Sequence, residues 1–176
     1  MPTGTTFVKH LRTLERRRDD LTPKVTEVPQ VQAEFEALDY AIEVFHEIRE
    51  LEDKININLV SMARVSLAFE FGIYQAESSN SGEPFFTEDG PEFQTVNEDH
   101  LATLERRRDF LAGRKKDRGS LSSFDQAEYS ALVWACESLH QIKHVETRLG
   151  VNLLDLGYAT EANMSAMEKS ENDDDE

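Results

Sequence analysis

A chain of 176 residues with 39% hydrophobic and 31% charged content has the make-up of a globular protein, able to bury one core or two small ones that share an interface. No apolar run approaches the ~18 residues of a membrane span, and the opening Met-Pro-Thr-Gly-Thr-Thr-Phe lacks the basic and apolar regions of a secretory signal. One cysteine, Cys136, excludes an internal disulfide and a cysteine-based zinc site, so a cytoplasmic protein is expected.

The net charge of −16 is concentrated. Residues 76–99 hold seven acids and no Lys or Arg, and residues 168–176 hold six acids against Lys169 alone. Charge of this kind keeps a segment solvated. The excess therefore describes a linker and a tail, not a uniformly acidic folded surface.

In chain order, residues 10–21 (HLRTLERRRDDL) come first, and they return at 100–111 as HLATLERRRDFL, with ten of twelve positions identical. After a loop of variable length, QAEFEALDYAIEVFHEIRELE at 32–52 returns at 126–146 as QAEYSALVWACESLHQIKHVE, with ten of twenty-one identical. Asn58-Leu59 and Asn152-Leu153 extend the match. The chain contains an internal repeat.

Each block carries helical periodicity. Leu11, Leu14 and Leu21 make one stripe, repeated by Leu101, Leu104 and Leu111, with Pro23 and Gly113 as stop signals. Val31, Phe35, Leu38, Ile42, Phe45 and Ile48 form the second, matched by Leu132, Ala135, Leu139, Ile142, Val145 and Leu149. Pro29 fits the first turn of one helix; Ser123 with Gln126 reads as a capping box for its counterpart, which Gly150 closes. Short loops favour antiparallel hairpins. The first arms are mainly basic and the second mainly acidic, which suits that pairing.

Between the copies, Val65, Leu67, Phe69, Phe71 and Ile73 alternate with Ser66, Ala68, Glu70 and Gly72, which predicts a strand, paired with Phe85–Val96. The competing helical register through Leu59, Met62, Val65, Phe69 and Ile73 strands Leu67 and Phe71 on its far side.

The TLERRRDxL and QAExxALxxAxE patterns resemble helical-hairpin modules of small uncharacterised phage and mobile-element proteins. The resemblance covers both repeats, about half of the chain, and implies no particular activity.

Several residues invite chemistry. Glu43-x-x-His46 is repeated as Glu137-x-x-His140, and with Glu15 and Glu105 these reproduce the ligand order of di-iron and di-manganese carboxylate bundles. At 100° per residue, however, Glu43 and Glu137 lie well away from the apolar stripes. Arg16-Arg17-Arg18 and Arg106-Arg107-Arg108 splay around their helices and form no single phosphate-binding patch. Arg114-Lys115-Lys116-Asp117-Arg118 is a compact basic cluster that the first copy lacks. Cys136, beside Trp134 and Leu139, reads as core. Tyr40 and Trp134 occupy equivalent positions and are candidates either for core filling or for a contact between hairpins or subunits.

The expected fold is mainly α: tandem duplicated antiparallel helical hairpins forming a four-helix bundle, with a short β segment in the linker. Residues 1–62 are the first repeat, 63–99 the acidic linker, 100–157 the second repeat and 158–176 an acidic, disordered tail. The expected function is non-enzymatic protein–protein interaction or assembly, with a protein partner or self-association, no membrane and no nucleic acid. The phage-like resemblance implies an accessory factor acting on a host protein. The enzyme-class alternative is a ferritin-like protein holding two iron or manganese ions; a third reading is an acidic nucleic-acid mimic. Because each hairpin exposes an apolar stripe alone, residues 1–62 and 100–160 expressed separately are expected to be poorly folded or oligomeric. Circular dichroism and sedimentation check this, and two stable monomeric halves would refute it.

Overall fold

The computed structural model describes residues 4–65 and 94–174, and these are mainly helical, with no strand among them. The helices are α1 (Val8–Leu21), α2 (Pro29–Ile55), α3 (59–65), α4 (Glu98–Arg118), α5 (Ser123–Leu149) and α6 (Leu153–Asp174). Val65 is helical, so the expected strand does not begin there. The rest of that strand, Leu67–Ile73, and nearly all of its expected partner segment lie outside the described residues.

The leucine stripes become core. Leu11, Leu14 and Leu21 of α1 and Leu101, Leu104 and Leu111 of α4 are each at most 5% exposed. Leu38, Ile42, Phe45 and Ile48 are buried from α2, as are Leu132, Leu139, Ile142 and Val145 from α5. Full burial of such a side chain stabilises by roughly 1.5–3 kcal/mol, so these rows dominate the energetics.

The helix ends follow local chemistry, with two departures from expectation. α1 stops at Leu21 and a 3-10 turn carries Pro23, whose missing N–H and ring disfavour continuation. α4 runs past Gly113 to Arg118 and ends on Gly119 at φ 77°. One interior glycine costs only about 1 kcal/mol. Beyond it, Arg114 pairs with Asp125 at 2.9 Å, and Lys115, Lys116 and Arg118 suit the negative end of the helix dipole. The cap of α5 is Ser122, not Ser123: its hydroxyl accepts from the Asp125 N–H at 3.2 Å, and Ser123 is already helical.

Residues 158–174, expected as a disordered tail, lie in α6. Ala, Glu, Met and Lys supply helix propensity there, and neither Gly nor Pro interrupts the chain after Gly157.

The chain divides into two compact units, and both copies contribute to each. One comprises residues 6–46 and 96–140, hence α1, α4 and the leading parts of α2 and α5. The other comprises residues 1–5, 47–95 and 141–176.

In the second unit the organising residue is a buried carboxylate. Glu52 lies on the apolar face of α2, seven residues after Phe45, and is 6% exposed. Its oxygens accept the Thr5 N–H at 2.8 Å, the Thr5 hydroxyl at 2.9 Å and the Leu59 N–H at 2.8 Å. Glu146, 1% exposed on α5, does the same work with Thr95 N–H at 3.1 Å, the Thr95 hydroxyl at 2.7 Å and Leu153 N–H at 2.7 Å. In each case the carboxylate meets the N-terminus of the following helix, where unpaired N–H groups and the dipole favour a negative charge.

The turn between hub and helix also recurs. Asn56 at φ 53° and Gly150 at φ 68° make the left-handed step, which Gly and Asn tolerate best. Asn58 and Asn152 then cap α3 and α6 by accepting from Ser61 N–H at 2.9 Å and Asp155 N–H at 3.1 Å. Gly157 lets α6 approach closely: a Cβ there would sit 3.0 Å from Leu51 Cδ1 and 3.1 Å from Leu59 Cδ1.

Burial raises the pKa of both Glu52 and Glu146, and the hydrogen bonds only partly oppose it. An acid with a raised folded pKa binds its proton more tightly when folded. Its contribution to stability is therefore greatest at pH values below its unfolded pKa and falls as pH rises through the raised folded value. Glu52→Ala or Glu146→Ala leaves buried donors unpaired and is expected to cost about 2–3 kcal/mol. The double variant is expected to lose part of the pH slope of stability just above the ordinary carboxylate range. Thermal and urea unfolding at several pH values test both; an unchanged slope would contradict the assignment.

Candidate functional site

The residues of the expected metal motif form pairs. His46 Nε2 on α2 lies 2.6 Å from Glu15 Oε1 on α1. His140 on α5 makes the equivalent hydrogen bond with Glu105 on α4. Glu43 and Glu137 stay exposed, in agreement with their helical phase. Among the described residues, no three His, Cys, Asp or Glu side chains converge as a metal site would require. A carboxylate and an imidazole at this separation tie two helices together; alone they offer two of the four or more ligands such ions take.

Tyr40 and Trp134 reach across to the opposite copy. The Tyr40 ring stacks on His100, 5.0 Å between centroids, and its hydroxyl accepts the Asn97 N–H at 2.6 Å. Trp134 stacks on His10 at 5.7 Å and lies 4.4 Å from Phe45. Burial, and then neighbouring Lys9, push the His10 pKa below its ordinary value, which favours a neutral ring against the indole. The two aromatic–histidine contacts are counterparts under the repeat: His10 matches His100, and Tyr40 matches Trp134.

The central arginines of the triplets make a four-charge cluster. Arg17 Nε lies 2.9 Å from Glu34 and 3.1 Å from Glu128. Arg107 Nε lies 2.9 Å from Glu128 and 3.6 Å from Glu34. Each guanidinium forks onto the glutamate of its own copy and also faces that of the other. Glu128, at 8% side-chain exposure, is the most buried member. Sequence alone gave little sign of this: Arg17 and Arg107 sit among other arginines, and pairing between copies is invisible in a linear chain.

Two clefts flank the cluster and are repeat counterparts. One, of about 110 Å³, lies between α1 and α5 and includes Thr13, Arg16, Arg17, Ala127 and Glu128. The other, of about 420 Å³, lies between α4 and α2 and includes Thr103, Arg106, Arg107, Ala33 and Glu34. Arg17 and Arg107 are committed to carboxylates, so neither cleft is a concentrated cationic pocket.

Cys136 is fully buried, and that burial pushes its thiol pKa up to about 11. It is a thiol at neutral pH and unsuited to nucleophilic attack. No helix among the described residues is long and apolar enough to cross a membrane.

Compared with known protein families, curated proteins and solved structures, the chain matches none.

The cluster makes its arginines interdependent, because each one left alone still serves both glutamates. Arg17→Ala with Arg107→Ala is therefore expected to cost more than the two single substitutions added. Glu43→Ala with Glu137→Ala should change stability by no more than about 0.5 kcal/mol. Denaturant unfolding of the full cycle measures both, and strict additivity for the arginines would remove the cluster's claim to act as a unit.

Proposed function

We propose that this chain is a non-enzymatic interaction protein, built as duplicated helical hairpins in a four-helix bundle, which presents the end of α6 to a protein partner with a basic surface. The observation that carries this reading is the state of residues 162–172. They are helical, yet each one is exposed, Met164 by 38% and Met167 by 65%. A helical extension of this length with little to pack against gains little stability by itself. It gains much more when a partner covers it.

The chemistry fits a basic helical or grooved partner. Met164 and Met167 lie three residues apart, hence on one face, and methionine adapts to irregular apolar surfaces. Glu168, Glu171, Asp173, Asp174, Asp175 and Glu176 make that end of the sequence strongly acidic, and such charge steers a cationic partner toward it. The resemblance to phage-type modules suits an accessory factor that acts on a host protein in the cytoplasm. The nucleic-acid-mimic reading gains less support, because an extended array of charge on the core helices would serve it better than a helix end with exposed methionines. For the ferritin-like alternative, the discriminating result is metal content: about two tightly held ions per chain would favour it.

A chain ending at residue 161 keeps the Lys54–Glu161 ion pair at 3.7 Å and every fully buried residue. Its melting temperature is expected to stay within a few degrees of the full chain. The same holds for Met164→Glu with Met167→Glu. In cross-linking from source cells, a partner recovered with the full chain should be absent with both variants. Equal recovery from all three would reject α6 as the docking element.

A further inference from the structure

The contacts between the two copies are reciprocal. Arg17 of the first copy faces Glu128 of the second at 3.1 Å, and Arg107 of the second faces Glu34 of the first at 3.6 Å. His10 stacks on Trp134, and His100 stacks on Tyr40. A surface on which residue i meets j and j meets i is the signature of a two-fold interface between identical subunits. Here the interface is held within one chain, and the copies are joined by the 28 residues from 66 to 93.

The contacts that organise each copy remain inside it. Thr5, Glu52 and Leu59 belong to the first, and Thr95, Glu146 and Leu153 to the second. A copy therefore carries its own hub wherever its partner comes from. We propose that the two copies exchange partners between chains: the first copy of one molecule packs on the second copy of another, giving a closed dimer with the interface doubled and each contact retained. The partner is a second molecule of this protein. The inference rests on reading the chain as two structural copies, but not on α6 as a docking element, so either can fail alone.

The balance between the closed monomer and the exchanged dimer is set by the connection. Covalent connection of two modules gives an effective concentration on the order of millimolar. Dilute protein is then monomeric, and crowding at high concentration during folding favours exchange. An exchanged dimer reverts only by opening its interfaces, so it persists through dilution.

Two experiments on the full chain test this. In the first, wild-type protein is refolded from denaturant at ~1 µM and at ~1 mM, below and near that effective concentration, then diluted and sized by light scattering. Monomer is expected from the first and a substantial dimer fraction from the second. Monomer from both would overturn the proposal.

The second uses charge. Arg17→Glu with Arg107→Glu makes the four-residue cluster all acidic, and Glu34→Arg with Glu128→Arg makes it all basic. Neither variant has an opposite charge anywhere in the cluster, but exchange between them restores opposite charges between the copies, 17 against 128 and 107 against 34, at both interfaces, while the pairs inside each copy stay alike. Co-expressed with different tags, the two are expected to co-purify as a 1:1 complex of twice the chain mass that melts above either variant. Failure to associate, whether the separate variants fold or not, would refute partner exchange.

Discussion

A buried carboxylate at the joint between two helices is the constraint on which much of this molecule depends. Glu52 and Glu146 sit where a leucine would be the inexpensive choice, and a desolvated charge there is tolerated only with several donors around it. Those donors come from two distant places at once: the N–H and hydroxyl of a threonine before the first helix, and the N–H that opens the third. Removing water from the carboxylate therefore fixes three chain segments together. Among the described residues no buried side-chain nitrogen or oxygen lacks a partner.

The duplicated arrangement separates two kinds of polar contact. The glutamate hubs work inside each copy, with buried and neutral threonine donors. The Arg17, Glu34, Arg107 and Glu128 cluster works between copies, with opposite charges at partial exposure. Water and salt screen the second kind far more than the first. Charges placed in this way contribute more to which faces meet, and in which orientation, than to affinity.

Most of the helical framework was legible in the sequence because leucine spacing, Pro29 and Gly150 are local signals. The helical phase of Glu43 and Glu137 was legible for the same reason, and both are exposed. Other features were harder to see. Ser122 rather than Ser123 caps α5, a one-residue matter decided by which residue first turns helical. Gly113 resembles a stop signal, yet the basic residues after it favour continuation. The hubs did leave a trace: Glu52 follows Phe45 by seven residues, and Glu146 follows Leu139 by seven, which places a carboxylate on each apolar face. The threonine partners left a fainter trace: Thr5 and Thr95 keep the 90-residue offset of the first block but lie five residues ahead of it.

The seating of Trp134 has an optical consequence. It is the chain's sole tryptophan, with a ring between His10 of the opposite copy and Phe45. Emission excited at the red edge of protein absorbance therefore comes from one seam and not from an average over the molecule. An imidazole quenches an adjacent indole more strongly once it is charged, so acid titration of that emission follows His10 in the assembled protein. Separation of the copies would free the indole from its histidine. A change in emission without a matching change in far-ultraviolet circular dichroism would distinguish parting of the copies from unfolding.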